Sequence, residues 1–239
     1  WVVGASELRK NGRAADIERL HREAGSRTLR LVEVEDTLSV FAGLGADARV
    51  LADYNATKRW LGKTPLKPIS AGLFSYGVSA LTRTLPGYLL DKMPTLRVTN
   101  GDTEAYKIDE DGEVERTFAP GELLYEGPAR IAALGTIPFY GFGLRMFPFA
   151  DQRADRMQLR LATISPLQFV TELGNIWDGS FRDPSAITDF LVANVDIHCD
   201  PASEFQIGGD PQGKRSHISA RLAPEEIQLV DFYSAAAAE

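Results

Sequence analysis

The pattern of apolar and polar positions divides the chain into a helical part, up to about residue 87, and a strand-rich part beyond residue 94. In the first part, apolar residues recur at the spacing of amphipathic helices. These predicted helices span residues 14–23, 46–60 and 68–85. Residues 28–35 (TLRLVEVE) are the exception, because their composition is typical of a strand.

Beyond residue 94 the pattern indicates short strands joined by tight turns. Asn100-Gly101 predicts that residues 95–99 form a hairpin with residues 104–108, and Asp111-Gly112 predicts a second hairpin with residues 114–118. Further strand-like runs lie at 123–125, 129–134, 157–163, 190–198, 204–207, 217–220 and 227–232.

One predicted helix interrupts these strands at residues 165–177, with Ser165 as its N-cap and Pro166 at its first position. Many short strands at this spacing favour two packed antiparallel sheets. The predicted fold class is therefore α+β and mainly β, an antiparallel β-sandwich with a few helices.

Composition and charge narrow the range of partners. The 239 residues carry a net charge of −7, which argues against nucleic acid as a partner and against electrostatic adsorption to an acidic membrane. Any contact with a membrane surface would be transient and either hydrophobic or local. The single cysteine, Cys199, excludes an internal disulfide and indicates a cytoplasmic protein. The first residues, WVVGAS, contain neither an initiator Met nor a basic segment, which indicates a fragment rather than a signal peptide.

Three further features each allow two interpretations. Phe139, Tyr140 and Phe142 are candidates for lining an acyl-chain pocket, although aromatic residues in a β-rich domain are more often part of the core. The Gly208-Gly209-Asp210-Pro211 stretch is typical of a turn. The three histidines are scattered, so we interpret them as structural rather than as a zinc site.

Four stretches together resemble the superfamily of diacylglycerol kinases and sphingosine kinases, in its bacterial lipid-kinase branch. They are FAGLGAD (41–47), YGFGLRMFPFA (140–150), RMQLRL (156–161) and FQIGGD (205–210). The resemblance implies the C-terminal domain of the NAD-kinase and diacylglycerol-kinase fold. On this basis residues 1–38 are a remnant of the N-terminal nucleotide-binding domain, and residues 39–239 form the β-sandwich that accepts the lipid.

The resemblance also implies a catalytic residue. In this superfamily ATP is bound by a Gly-Gly-Asp-Gly-Thr loop in the N-terminal domain, and that motif is absent from the present chain. ATP and Mg²⁺ are therefore expected to bind mainly outside it. Asp210 matches the position of the glutamate that accepts the proton of the lipid hydroxyl, and an attacking hydroxyl must lose its proton during phosphoryl transfer.

A structural Mg²⁺ site is the third implication. The superfamily motif Asp-Gly-x-Leu-x-Leu places Met157 and Leu159 at the positions of the two carbonyl donors, with Ala154 at the position of the Asp. Asp155 or Asp151 could replace that carboxylate, but either is also interpretable as a solvated loop residue. Mg²⁺ requires oxygen ligands at about 2.1 Å in octahedral geometry, so the one-residue shift to Asp155 matters.

These observations predict the C-terminal part of an ATP-dependent lipid kinase. The intact enzyme would phosphorylate a hydroxyl group of a diacylglycerol-like or sphingoid lipid. The alternative from another functional class is a non-catalytic lipid-binding module with the same fold. A kinase for sugars or nucleotides is a third interpretation, which the aromatic content disfavours.

Overall fold

The computed structural model describes residues 25–45, 48, 93–140, 143–165, 168 and 171–231. The helices predicted at 14–23, 46–60 and 68–85 lie outside these residues, except for Ala48, which is helical. Within the described ranges no helix is both long enough and apolar enough to cross a lipid bilayer.

The described part of the chain is built almost entirely from strands. Strands β1 to β6 are Gly25–Val34, Thr37–Ser39, Phe41–Gly45, Thr95–Asn100, Ala105–Ile108 and Val114–Phe118. Strands β7 to β12 are Leu123–Pro128, Ile131–Gly135, Met157–Ala162, Ile187–Val192, Asn194–Ile207 and Asp210–Asp231. A short helix, α1 (Leu173–Asp178), lies between β9 and β10.

The strand pairings of the described residues are antiparallel, in the order β2-β1-β12-β11-β3-β8-β9-β10-β5-β6. Strand β4 pairs with β7 and with residues 195–200 of β11, whereas residues 205–207 of β11 pair with β3. Because β11 changes partners along its length, it connects two layers that share one core. The predicted mainly β, antiparallel fold is confirmed.

The core lies between these two layers. Leu96 and Val98 alternate with exposed residues of β4, which directs their side chains inward. They belong to the same buried cluster as Leu159 and Phe190 from the other layer. The rings of Phe118 and Phe190 meet edge to face within this cluster, with centroids 5.9 Å apart.

A second apolar cluster covers the outer face of β3, β8 and β9. Its buried members include Phe41, Ala133, Phe147 and Ala162, and the partly buried Tyr140 packs against it. All six residues of β9 are buried as a result. The segment between β8 and β9 therefore acts as a lid over the sheet, and it positions the aromatic residues discussed below.

A buried polar network lies on the same sheet. Arg160 of β9 and Asp189 of β10 are each 6% exposed. The guanidinium donates two hydrogen bonds to the carboxylate, of 2.8 Å from Nε and 2.7 Å from Nη2. Gln158 donates to Asp189 Oδ1 at 2.9 Å and accepts a bond from Phe149 N at 2.8 Å. The network therefore ties the lid segment to two central strands.

The predicted hairpin at Asn100-Gly101 is wrong, because β4 pairs with β7 and β11 and not with β5. The side-chain amide of the buried Asn100 donates to Thr103 O and Ala119 O at 2.6 and 2.9 Å. A Cβ atom on Gly101 would lie 2.1 Å from Asn194 Oδ1, so this glycine permits a close approach rather than a tight turn.

The second predicted hairpin is confirmed. The Asp111-Gly112 turn joins β5 and β6, and Gly112 has a φ of 87°. Of the helix predicted at 165–177, the structure describes α1 at Leu173–Asp178, with Glu172 at its N-cap position. Ser165 Oγ accepts a hydrogen bond from Gln168 N at 3.1 Å. The run predicted as one strand at 190–198 is two strands, β10 and β11.

The domain boundary after residue 38 stays a prediction. Strand β1, which precedes it, pairs with β12 from Gly25 opposite Asp231 to Val34 opposite Ala220. Residues 25–38 therefore share a sheet with the larger predicted domain.

Candidate functional site

The predicted catalytic residue lies beside a tight turn between the two longest strands. Ile207 of β11 pairs with Asp210 of β12, so only Gly208 and Gly209 form the loop. Their φ values are 60° and 91°. Positive φ at both central positions is the requirement of a two-residue hairpin turn, and glycine meets it without strain. Asp210 is exposed, on a turn rather than in the core.

Three hydrogen bonds fix this turn to its surroundings. Gly208 N donates to Phe41 O on β3 at 3.0 Å. Gly209 N donates to Gln206 Oε1 at 2.7 Å, and the Gln206 amide nitrogen donates to the Tyr140 hydroxyl. Gln206 is fully buried. The turn that carries Asp210 is therefore held by a neighbouring strand and by the lid segment.

The same interactions explain where Tyr140 lies. Its ring centroid is 4.3 Å from that of Phe41 and 5.7 Å from that of Phe147. Tyr140 thus packs against the second apolar cluster while its hydroxyl meets Gln206. Phe139 is half-buried, and Phe142 lies outside the described residues. Lipid contact by these three residues stays a prediction.

Sequence reasoning missed the role of Gln206. The residue stands in the run FQIGGD, where its neighbours Phe205 and Ile207 are buried and apolar. A buried amide needs hydrogen-bond partners, so a glutamine inside an apolar strand was the available signal. Its partner Tyr140 is 66 residues away in the sequence, which no local pattern reveals.

Met157 and Leu159, the predicted carbonyl donors for Mg²⁺, lie in β9 between β8 and β10. Ala162 O accepts from Arg130 N on the β8 side, at 2.8 Å. Backbone groups alternate between the two sides of a strand, so the carbonyls of Met157 and Leu159 face β10. There Val192 and Phe190 lie opposite them in the ladder. These carbonyls therefore already have backbone partners.

Asp155 does not complete a cation site either. Its carboxylate accepts from Arg156 Nη1 at 2.8 Å and lies 3.5 Å from Arg153 Nε. Within the described ranges no group of three or more His, Cys, Asp and Glu residues could hold a metal ion. The Mg²⁺ site stays a prediction, and the described residues do not fit it.

The turn at Asp210 and the start of β9 lie at the same edge of the sheet. Phe41 pairs with Gly135, and Gly135 pairs with Gln158, so three strand spacings separate β11 from β9. At about 4.8 Å per spacing, the distance is about 14 Å. The structure thus places the predicted catalytic and metal residues on one edge but not in contact.

An open cleft of about 590 Å³ lies next to this edge, between the paired strands β1 and β12 and the lid segment. Phe139 lines the cleft, and the next residue, Tyr140, accepts the hydrogen bond from Gln206 that helps to hold the Gly208-Gly209 turn. Five arginines and two carboxylates also line it. The site region therefore combines an exposed carboxylate on a fixed turn with a neighbouring basic cleft.

Comparison with solved structures identifies similar folds. A protein assigned as a diacylglycerol kinase from Bacillus anthracis str. Sterne aligns with 13% identity and a TM-score of 0.51, over 90% of this chain and 60% of that one. Two further alignments to diacylglycerol kinases from the same organism have TM-scores of 0.48 and 0.47, with 11% and 14% identity. They cover 90% of this chain and 57% and 60% of the others.

The chain thus spans about 60% of the length of the solved structures it resembles. No family model matches the sequence, and no curated protein matches it. At 13% identity the similarity is one of fold. The chain has a mainly β fold similar to that of part of this diacylglycerol kinase structure.

Proposed function

We propose that this chain is the lipid-accepting part of an ATP-dependent lipid kinase, and that Asp210 is its proton acceptor. The acceptor would be a hydroxyl group of a diacylglycerol-like or sphingoid lipid. Cytoplasmic location with transient contact to a membrane surface is part of the proposal, since the substrate is a lipid.

The observation that carries this proposal is the position of Asp210. Its carboxylate is exposed, but the backbone beside it is held by hydrogen bonds from Gly208 N to Phe41 O and from Gly209 N to Gln206 Oε1. A general base must reach the proton it removes within hydrogen-bond distance, so a fixed backbone with an accessible carboxylate suits this role. Asp210 lies at the position where the resemblance expects the base.

In the proposed reaction the lipid hydroxyl approaches Asp210 from solvent at the edge of the sheet. Asp210 would accept the proton of the lipid hydroxyl as its oxygen attacks the γ-phosphorus of ATP. The bond between the γ-phosphorus and the β–γ bridging oxygen would break, with ADP as the leaving group. Mg·ATP, when bound, supplies the phosphoryl group and neutralises its developing charge. The described residues of this chain contribute orientation and the base, and the proposal assigns the nucleotide site to residues outside them.

Substitution of Asp210 in the intact protein tests the assignment. Asp210→Asn preserves size and removes the base, so the rate of lipid phosphorylation should fall about 10²–10⁴-fold with an unchanged fold. Asp210→Glu restores the residue type expected from the resemblance and should retain much of the activity. Asp111→Asn is the matched control, because Asp111 is another exposed aspartate beside a hairpin glycine.

A wild-type rate for Asp210→Asn would place the base elsewhere and leave Asp210 as a turn residue. A specific observation also supports the non-catalytic alternative: Asp155, which could stand in for the missing metal ligand, is paired with arginines. If the protein is such a non-catalytic module, the intact protein binds lipid but transfers no phosphoryl group to it. Substitution of Asp210 then removes no catalytic base and leaves the affinity for lipid unchanged.

A further inference from the structure

The basic cleft collects positive charge in a protein whose net charge is −7. The arginines that line it come from the β1 strand and from the lid segment: Arg27, Arg30, Arg145, Arg153 and Arg156. Positive charges that lie close together repel one another. A cluster of arginines is therefore stable when carboxylates or a bound anion offset this repulsion.

The carboxylates balance only part of this charge. Arg30 forms an ion pair with Glu226 across the β1–β12 ladder. Arg153 and Arg156 share a single carboxylate, that of Asp155, and Arg156 Nε also donates to Glu104 O at 3.1 Å. Arg153 also stacks over the ring of Tyr106, with its guanidinium carbon 4.4 Å from the ring centroid. The paired arginines are thereby held in place.

Arg27 and Arg145 differ from the other three. Both are exposed, and neither guanidinium forms a hydrogen bond or an ion pair within the described part of the chain. One extends from β1 and the other from the lid segment, so they approach the cleft from different walls. Both residues line the one cleft, and two unpaired guanidinium groups provide donors that match the oxygens of a phosphate group.

Apolar side chains form the rest of the cleft. Leu29, Ile137, Phe139 and Leu229 line it alongside the arginines. Ile137 is buried, whereas the other three are half-buried and accessible. A free phosphate ion would make no favourable contact with this apolar surface. An amphiphile with a phosphate head group would contact both the arginines and the apolar side chains.

We propose that this cleft binds the phosphate head group of an anionic lipid, with Arg27 and Arg145 as its principal ligands. Arg153 and Arg156 add positive potential from fixed positions, and the apolar residues contact the first part of the acyl chains. The inference does not depend on phosphoryl transfer. Its test measures binding alone, so its failure and the failure of the proposed kinase activity are distinguishable.

The test compares two soluble lipids that differ only in the phosphate group: dihexanoyl phosphatidic acid and dihexanoylglycerol. Isothermal titration calorimetry with the full-length protein should show binding of the phosphatidic acid at least about tenfold tighter than that of the neutral lipid, since hydrogen bonds to charged groups are worth this much. The double variant Arg27→Gln/Arg145→Gln should weaken phosphatidic acid binding by about tenfold. Its dihexanoylglycerol affinity should not change, and this affinity is the lower limit toward which phosphatidic acid binding falls.

A charge-matched control separates the cleft from general electrostatics. The double variant Arg97→Gln/Arg116→Gln removes two exposed arginines of β4 and β6 that do not line the cleft. It should bind phosphatidic acid like the wild type. Equal loss in both double variants would overturn the proposal, as would equal affinity for the two lipids. Inorganic phosphate binding as tightly as phosphatidic acid would overturn the assignment to a lipid.

Discussion

The buried ion pair between Arg160 and Asp189 gives the sharpest test of the fold, through the substitution Asp189→Asn. The two side chains are each 7% exposed and joined by bonds of 2.8 and 2.7 Å. Asparagine has nearly the same shape as aspartate. It keeps one acceptor oxygen but turns an NH₂ group toward one of the guanidinium nitrogens, and it removes the charge that compensates Arg160.

The expected cost follows from the burial of Arg160. Breaking a buried pair by neutralising one partner costs about 3–5 kcal/mol, because the remaining charge has lost its counter-ion. Arg182 adds to this cost. Burial, and then the nearby charge of Arg160, lower the pKa of the Arg182 guanidinium, whereas the carboxylate of Asp189 raises it. Without Asp189 the two guanidinium groups repel each other. The free energy of unfolding of a protein is typically about 5–15 kcal/mol, so the substitution would remove a large fraction of it.

Calorimetric melting is the assay. For a protein of this size, about 3–5 kcal/mol corresponds to a decrease in Tm of about 6–20 °C. Glu126→Gln is the control, since Glu126 pairs with Arg97 while both are more than half exposed. It should cost less than about 1 kcal/mol. Arg160→Met combined with Asp189→Leu removes both charges and should recover most of the loss. A Tm for Asp189→Asn within about 2 °C of the wild type would refute the reasoning.

Three further predictions concern ionisation, reactivity and metal. Hydrogen bonds from Arg221 lower the pKa of Glu33. The ion pair therefore stabilises the fold at pH values above the ordinary pKa of glutamate, and this stabilisation is lost as the pH falls through the lowered pKa. NMR titration should show that Arg221→Met returns the midpoint to the ordinary range, and an unchanged midpoint would contradict the assignment. Burial raises the pKa of the Cys199 thiol. An aromatic disulfide reagent should therefore label Cys199 slowly in the native protein and rapidly in urea. Fast labelling of the native protein would contradict the burial of this residue. EDTA should leave Tm unchanged, because the described residues provide no metal cage, and a decrease would reveal a structural ion.

The alternation of apolar residues was sufficient to predict most strands. Runs such as 157–163 and 204–207 are strands, and their apolar and polar residues alternate with the two-residue repeat of a strand. In β9 both kinds of residue are buried, because the lid segment covers the outer face. The Asn100-Gly101 turn could not be assigned correctly from local sequence. The side-chain amide of Asn100 donates to Ala119 O, 19 residues away, and β4 pairs with β7 instead of β5.

The candidate site was predictable only in part. The two glycines before Asp210 indicated a turn, and the structure has one there. The hydrogen bond between Gln206 and Tyr140, by contrast, joins segments that are distant in the sequence. The same holds for the cleft, whose arginines extend from residue 27 to residue 156. Such features depend on how strands are ordered in the sheet, which local periodicity does not specify.

The central claim is that the intact protein transfers a phosphoryl group to a lipid with the help of Asp210. The most direct test incubates the intact protein with γ-labelled ATP, Mg²⁺ and either diacylglycerol or a sphingoid base in mixed micelles, then separates the lipids. The wild type should yield labelled lipid phosphate, and Asp210→Asn should yield about 10²–10⁴-fold less. Lipid that binds to the wild type but remains unlabelled would exclude phosphoryl transfer and identify a lipid-binding module.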